Sequence, residues 1–138
     1  MRLERESWRI IEYIIRRYPD KKREYEEYIS DIMSSTPGDG YQGTADEGSR
    51  PQSVTEAKAL KMNSVYMDRI KKEIQAVEFV YNNLREEEKK VMRERYWTDR
   101  KRNISYTKMK TTNYSEMQMR RIAYKIICQV GRYLGEIK

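Results

Sequence analysis

The sequence predicts an all-α fold, and three observations predict it. Apolar residues recur at spacings of three and four through most of the 138-residue chain, which is the period of a helix face. No segment alternates apolar and polar residues for long enough to make a half-buried strand. Four of the six glycines and two of the three prolines are gathered in residues 34–53, so the rest of the chain carries few helix breakers. The length suits one domain, or a small globule with an extended arm. Hydrophobic residues make up 38% and charged residues 37%, so the core is expected to be thin and built from narrow helical stripes. Twelve Tyr and eight Met stand against one Phe; Tyr packs a large ring while keeping a hydroxyl for water or phosphate.

From Leu3 to Tyr18, the positions Trp8, Ile11, Ile15 and Tyr18 follow a four-three alternation that Ile10 and Ile14 widen. Pro19 is expected to end this helix, because proline disfavours a helical residue before it, and to open a second one, because it suits a first turn. That second helix reaches Met33 with Tyr25, Tyr28, Ile29, Ile32 and Met33 inward, so residues 1–34 predict an N-terminal helical hairpin. Residues 35–53 read as a flexible Gly/Pro-rich linker, with too little apolar surface to offset the entropy of ordering it. The glycines are a poor phosphate cradle: no Gly-Lys-Ser/Thr ending follows, and Asp39, Asp46 and Glu47 would repel an anion.

A long connecting helix is expected over residues 54–83, capped by the Ser53 hydroxyl. Leu60, Met67, Ile70, Ile74, Val77, Tyr81 and Leu84 fall on a heptad seam, with Asn63 in one slot. A seam of this kind packs on the N-terminal hairpin or pairs with its copy in a homodimer through residues 60–84.

Residues 84–138 predict a helix-turn-helix unit. Glu86, Glu87 and Glu88 complement the amino end of a helix whose inward positions are Val91, Met92, Tyr96 and Trp97. Trp97 is a packing anchor or, if exposed, a partner contact. The surface loop TDRKRN carries Arg100, Lys101 and Arg102. Ser105 can cap a short helix through about Thr111 with Met109 inward, and a turn at Asn113-Tyr114-Ser115 leads into a last helix capped by Ser115. In that helix Met119, Ile122, Ile126, Val130 and Tyr133 or Leu134 share one stripe, while Arg120, Arg121, Tyr124 and Lys125 fall on the other side. A short helix followed by one that is apolar on one face and basic on the other is the helix-turn-helix arrangement, in which the second helix enters the DNA major groove. Base edges are read near the amino end of that helix, so Glu116, Gln118, Arg120, Arg121 and Tyr124 are the base-reading candidates. Lys108, Lys110, Thr112, Ser115 and Lys125 are candidates for phosphate. Arg100, Lys101 and Arg102 add backbone contacts or keep the loop soluble.

The net charge of +7 is segregated: residues 84–138 hold fifteen Lys and Arg against seven Asp and Glu, and residues 1–83 hold fourteen against fifteen. All of the excess therefore falls on the helix-turn-helix pattern, where a footprint for phosphate belongs. Cys128 is alone, so no internal disulfide forms and a reducing compartment fits. With no His, neither a metal site nor general-base catalysis is indicated, and no cofactor or enzymatic role is expected. MRLERESWRI interleaves charges with apolar residues, which argues against a signal peptide or membrane span and leaves the cytoplasm as the expected location.

The segments VYNNLREEEKKVMRERYW and YSEMQMRRIAYKIICQVGRYLG also resemble the bacteriophage late-gene transcriptional activators of the RinA and ArpU kind, whose C-terminal part is similar to the promoter-binding region 4 of sigma factors. RRYPDKKREYEEYISDIM, the Gly-rich linker and SVTEAKAL are similar to the same family, so the likeness spans nearly the whole chain. At KTTN, Thr111, Thr112 and Asn113 stand where the family carries Ala or Gly and then Leu, and Tyr114 replaces a smaller aliphatic. The resemblance implies binding to double-stranded promoter DNA, recruitment of host RNA polymerase for late-gene transcription, and a bacterial host cytoplasm. A phage small terminase subunit for DNA packaging, which also combines a helix-turn-helix with oligomerising helices, is the alternative.

Overall fold

The structure, a computed structural model, describes residues 4–34 and 54–136. The linker, the Ser53 cap and the side chains of Leu60 and Asn63 lie outside the described residues. Among them the fold is all-α, with four α-helices, one 3-10 turn and no strand. Helix α1 spans Arg5–Ser34, α2 Val54–Asn82, α3 Glu86–Trp97 and α4 Glu116–Tyr133, and the 3-10 turn is Tyr106–Lys108.

The expected hairpin over residues 1–34 is not formed: α1 is one 30-residue helix with Pro19 inside it. A proline in a helix interior leaves the carbonyl four residues earlier without its amide donor. Here the donor comes from elsewhere in the chain. The Trp97 indole Nε1 donates to the Ile15 carbonyl oxygen at 2.8 Å, so the polar group that Pro19 strands is satisfied and the helix runs through.

The described residues divide into two compact units, one made of residues 4–20 and 72–136 and the other of residues 21–34 and 54–71. The first holds the core. Ile11 and Ile15 of α1 meet Val77, Val80 and Leu84 at the end of α2, Val91, Met92 and Tyr96 of α3, Met109, and the ridge of α4. Of the heptad seam, Ile74, Val77 and Leu84 are buried in this unit, Val77 and Leu84 within this core. Ile10, expected to widen the α1 stripe, is instead 54% exposed. In the second unit the Lys21 ammonium donates to the Tyr66 hydroxyl at 2.8 Å, and Ile70 is buried. Tyr25 and Tyr28 are half-buried with their rings 6.4 Å apart. The inward places expected for Ile29, Ile32 and Met33 are not taken up, since all three are exposed.

Two helix ends in the first unit are fixed locally. Glu88, in the first turn of α3, accepts from the Arg85 amide at 3.0 Å. At the end of α4 the Gly135 amide donates to the Arg132 carbonyl at 3.1 Å and the Glu136 amide to the Gly131 carbonyl at 2.8 Å. That bond pair is the Schellman termination, and it needs the left-handed φ of +79° that Gly135 adopts. No described helix is long and apolar enough to cross a membrane.

Candidate nucleic-acid interface

The position of α4 is set from both ends and from beneath. The Ser115 hydroxyl accepts from the Gln118 amide at 3.2 Å while the Gln118 side chain accepts from the Ser115 amide at 2.8 Å, a reciprocal cap that satisfies two free donors. Met119, Ile122, Ile126 and Val130 are buried as their spacing predicts, joined by Ala123, Ile127 and Gly131. Leu134 packs on this core, whereas Tyr133 is exposed. Burying such a row contributes about 1.5–3 kcal/mol for each large side chain, so the opposite side of α4 is presented by a firmly seated helix.

That opposite side carries the base-reading candidates. Glu116, Gln118, Arg120 and Arg121 are exposed, and Tyr124 is 38% exposed with its ring 5.2 Å from that of Trp8. Arg120 reaches Glu116 at 2.9 Å and lies 4.7 Å over the Tyr106 ring. The Arg121 guanidinium approaches the Met117 sulfur at 3.7 Å. Arg120 and Arg121 do not pair with Glu94 on the preceding helix. Glu94 is engaged differently: its carboxylate accepts from the Lys110 amide at 2.9 Å and the Thr111 amide at 3.1 Å.

This use of Glu94 bears on the short helix expected from Ser105 to about Thr111, which is a single 3-10 turn, Tyr106–Lys108, in the structure. The amides of residues 110 and 111, which a longer helix would bond internally, go to the Glu94 carboxylate instead. Burial pushes the Glu94 carboxyl up, but these two amides and the Thr111 hydroxyl outweigh it and hold it below the usual carboxylate value. Met109 is buried under the turn as expected.

The phosphate candidates divide. Lys108 and Lys110 are exposed, and neither has a carboxylate within ion-pair range among the described residues. Thr112 accepts from the Tyr114 amide at 3.4 Å, and Ser115 is committed to its cap. Lys125 is drawn away: its ammonium lies 3.1 Å from a Glu88 carboxylate oxygen, and Glu88 is 3% exposed. A buried carboxylate without a cation is costly, so Lys125 serves as a counterion to Glu88 while its side chain stays 47% exposed. Burial raises the Glu88 carboxyl, and the Arg85 amide, Lys125 and the Arg85 guanidinium together bring it below its ordinary value. In the loop, Arg100 meets Asp20 at 3.3 Å and Arg102 meets Asp99 at 3.7 Å. Lys101 donates its backbone amide to Asp99 at 2.8 Å.

Beneath this surface is a polar node that the spacing of residues did not indicate. Glu12 of α1 accepts from the Tyr96 hydroxyl at 2.9 Å and from Asn103 at 3.3 Å, with Arg95 3.9 Å away. Burial, then the Glu12 charge, pushes the Tyr96 hydroxyl well above its usual value. Arg95 donates to the Ile104 carbonyl at 2.6 Å and lies 4.0 Å over the Tyr106 ring, the ring that also carries Arg120. The loop between α3 and the 3-10 turn is thereby tied to α1 and to the arginine side of α4. Comparison with protein-family models, curated proteins and solved structures finds no match to this chain.

Proposed function

We propose that this chain is a transcription regulator without enzymatic activity, which lays the exposed side of α4 in the major groove of double-stranded promoter DNA. The 3-10 turn, the turn at residues 113–115 and α4 act together as its helix-turn-helix. Following the resemblance to phage late-gene activators, the DNA-bound chain engages host RNA polymerase and raises late-gene transcription. The observation that carries this reading is the placement of Arg120, Arg121 and Tyr124, exposed on a helix whose other side is rooted in the core. Glu116, Gln118 and these three residues reach base edges, and Lys108 and Lys110 reach phosphates beside them. An Arg side chain pairs bidentately with guanine and Gln with adenine, each worth about 1–3 kcal/mol of discrimination.

The test is binding of the full chain to a duplex recovered by protection mapping on the encoding genome, across a salt series. Affinity for that duplex should fall linearly on a log–log salt plot. The double substitution Arg120→Ala, Arg121→Ala should remove the preference for it over random DNA, a loss of roughly fivefold or more for each bidentate contact. Parent and variant binding both duplexes equally would overturn the reading.

A further inference from the structure

The residue count assigns the first 83 residues no surplus of positive charge, yet the structure places an arginine flank of α1 beside the exposed side of α4. Two contacts fix which flank this is. The Trp8 ring lies 5.2 Å from the Tyr124 ring, and Glu12 is held by Tyr96, Asn103 and Arg95. At roughly 100° per residue, moving round α1 from the buried Ile11 and Ile15 leads through Trp8 and Glu12 to Arg5, Arg16 and Arg9. The Arg16 guanidinium donates to the Asn103 side chain at 3.2 Å, which ties this flank to the loop between α3 and the 3-10 turn.

Arg5 and Arg9 are exposed. Among the described residues neither they nor Arg16 has a carboxylate within ion-pair range. Glu12, between these arginines and the core, is occupied by its own hydrogen bonds, and Glu6, three residues before Arg9 at the outer edge of the flank, makes no ion pair with Arg5 or Arg9. Tyr124 shares α4's exposed stripe with Arg120, four residues earlier, so the cationic surface continues from the recognition side of α4 across the Trp8–Tyr124 pair onto α1.

We propose that Arg5 and Arg9, with Arg16 oriented by Asn103, form a second DNA contact that takes the phosphate backbone flanking the groove occupied by α4. It rests on the reading of α4 as the groove-entering helix and adds an element to it. Phosphates are the partner because three guanidinium groups gather on this flank with no carboxylate paired to any of them, beside the exposed Tyr13 ring that lies 5.7 Å from the Arg16 guanidinium. Phosphate contacts position a duplex and carry no sequence information.

The experiment measures full-chain affinity for the protected sequence and for a scrambled sequence, each in a labelled duplex of about 30 base pairs, roughly three helical turns. Arg5→Ala, Arg9→Ala should weaken both by the same factor and flatten the log–log salt slope by about 1.8, at about 0.9 per phosphate lost. The preference between the two sequences should stay at the parent's value. Arg5→Lys, Arg9→Lys, which keeps the charges, should keep the parent's slope. If the alanine pair leaves affinity and slope unchanged while Arg120→Ala, Arg121→Ala loses its preference, the α1 contact is overturned and the function of α4 stands. If the alanine pair alters preference without altering slope, the contact is likewise overturned. No change from either pair, or no binding by the parent, overturns both.

Discussion

The carbonyl of Ile15 needs a donor that Pro19 does not have, and the indole of Trp97 supplies it from 82 residues away. Removing one partner from a buried hydrogen bond leaves the other unsatisfied, at about 1–3 kcal/mol. Trp97→Phe should therefore destabilise the protein by about this amount or more, because the Trp97 ring also packs 5.3 Å from Tyr18 and 5.5 Å from Tyr81. The polar part can be separated from the packing part. Pro19→Ala restores a backbone amide able to bond Ile15, so Trp97→Phe should cost about 1 kcal/mol less in the Pro19→Ala background. Urea unfolding of the four proteins gives the coupling, and equal costs in both backgrounds would show that the indole N–H does not stand in for the missing amide.

At the scale of elements, α4 was legible because its determinants are local: a serine cap with Gln118 three residues on, a ridge at three-four spacing, and Gly135 at the end. The same holds for α3, whose three glutamates and buried Val91, Met92 and Tyr96 lie within one helix. What the sequence left unread depended on distant partners. Pro19 looked like a helix end because its compensating donor is in another helix. The 3-10 turn was taken for a longer helix because Glu94, on α3, intercepts the amides of Lys110 and Thr111. The arginine side of α1 was hidden in a near-neutral count, since twelve of the fifteen acids in residues 1–83 lie at Asp20 or beyond. Because Glu94 holds the segment leading into α4, that segment should respond to acid. A folded carboxyl held below its unfolded value contributes stability above the unfolded value, and that contribution is lost as pH falls through the folded one. Glu94 and Glu88 are both shifted downward, so the amide resonances of Lys110 and Thr111 should stay put from neutral pH to about 5 and move only below the ordinary carboxylate range. Glu94→Gln should remove that titration. Movement centred near neutral pH would exclude Glu94 as the group that holds the turn.

For the whole molecule, the unequal burial of the two units sets an unequal stability. Residues 4–20 and 72–136 share one apolar core drawn from all four helices, whereas among the described side chains of residues 21–71 only Ile70 is buried and Ile29, Ile32, Met33 and Val65 are exposed. Local opening free energy follows the buried apolar contacts that opening breaks. Native-state hydrogen exchange should give amides of residues 11–18, 77–80, 91–96 and 122–130 protection close to that of global unfolding, and amides of residues 24–33 and 64–69 far less. The less protected residues include Met67, part of the heptad seam that also suits pairing with a second copy. Self-association there would stabilise the second unit by mass action and make its protection rise with protein concentration while that of the first unit stayed fixed. Protection uniform across both units and independent of concentration would refute the division of stability; a concentration-dependent rise confined to residues 24–33 and 64–69 would place a homodimer contact there.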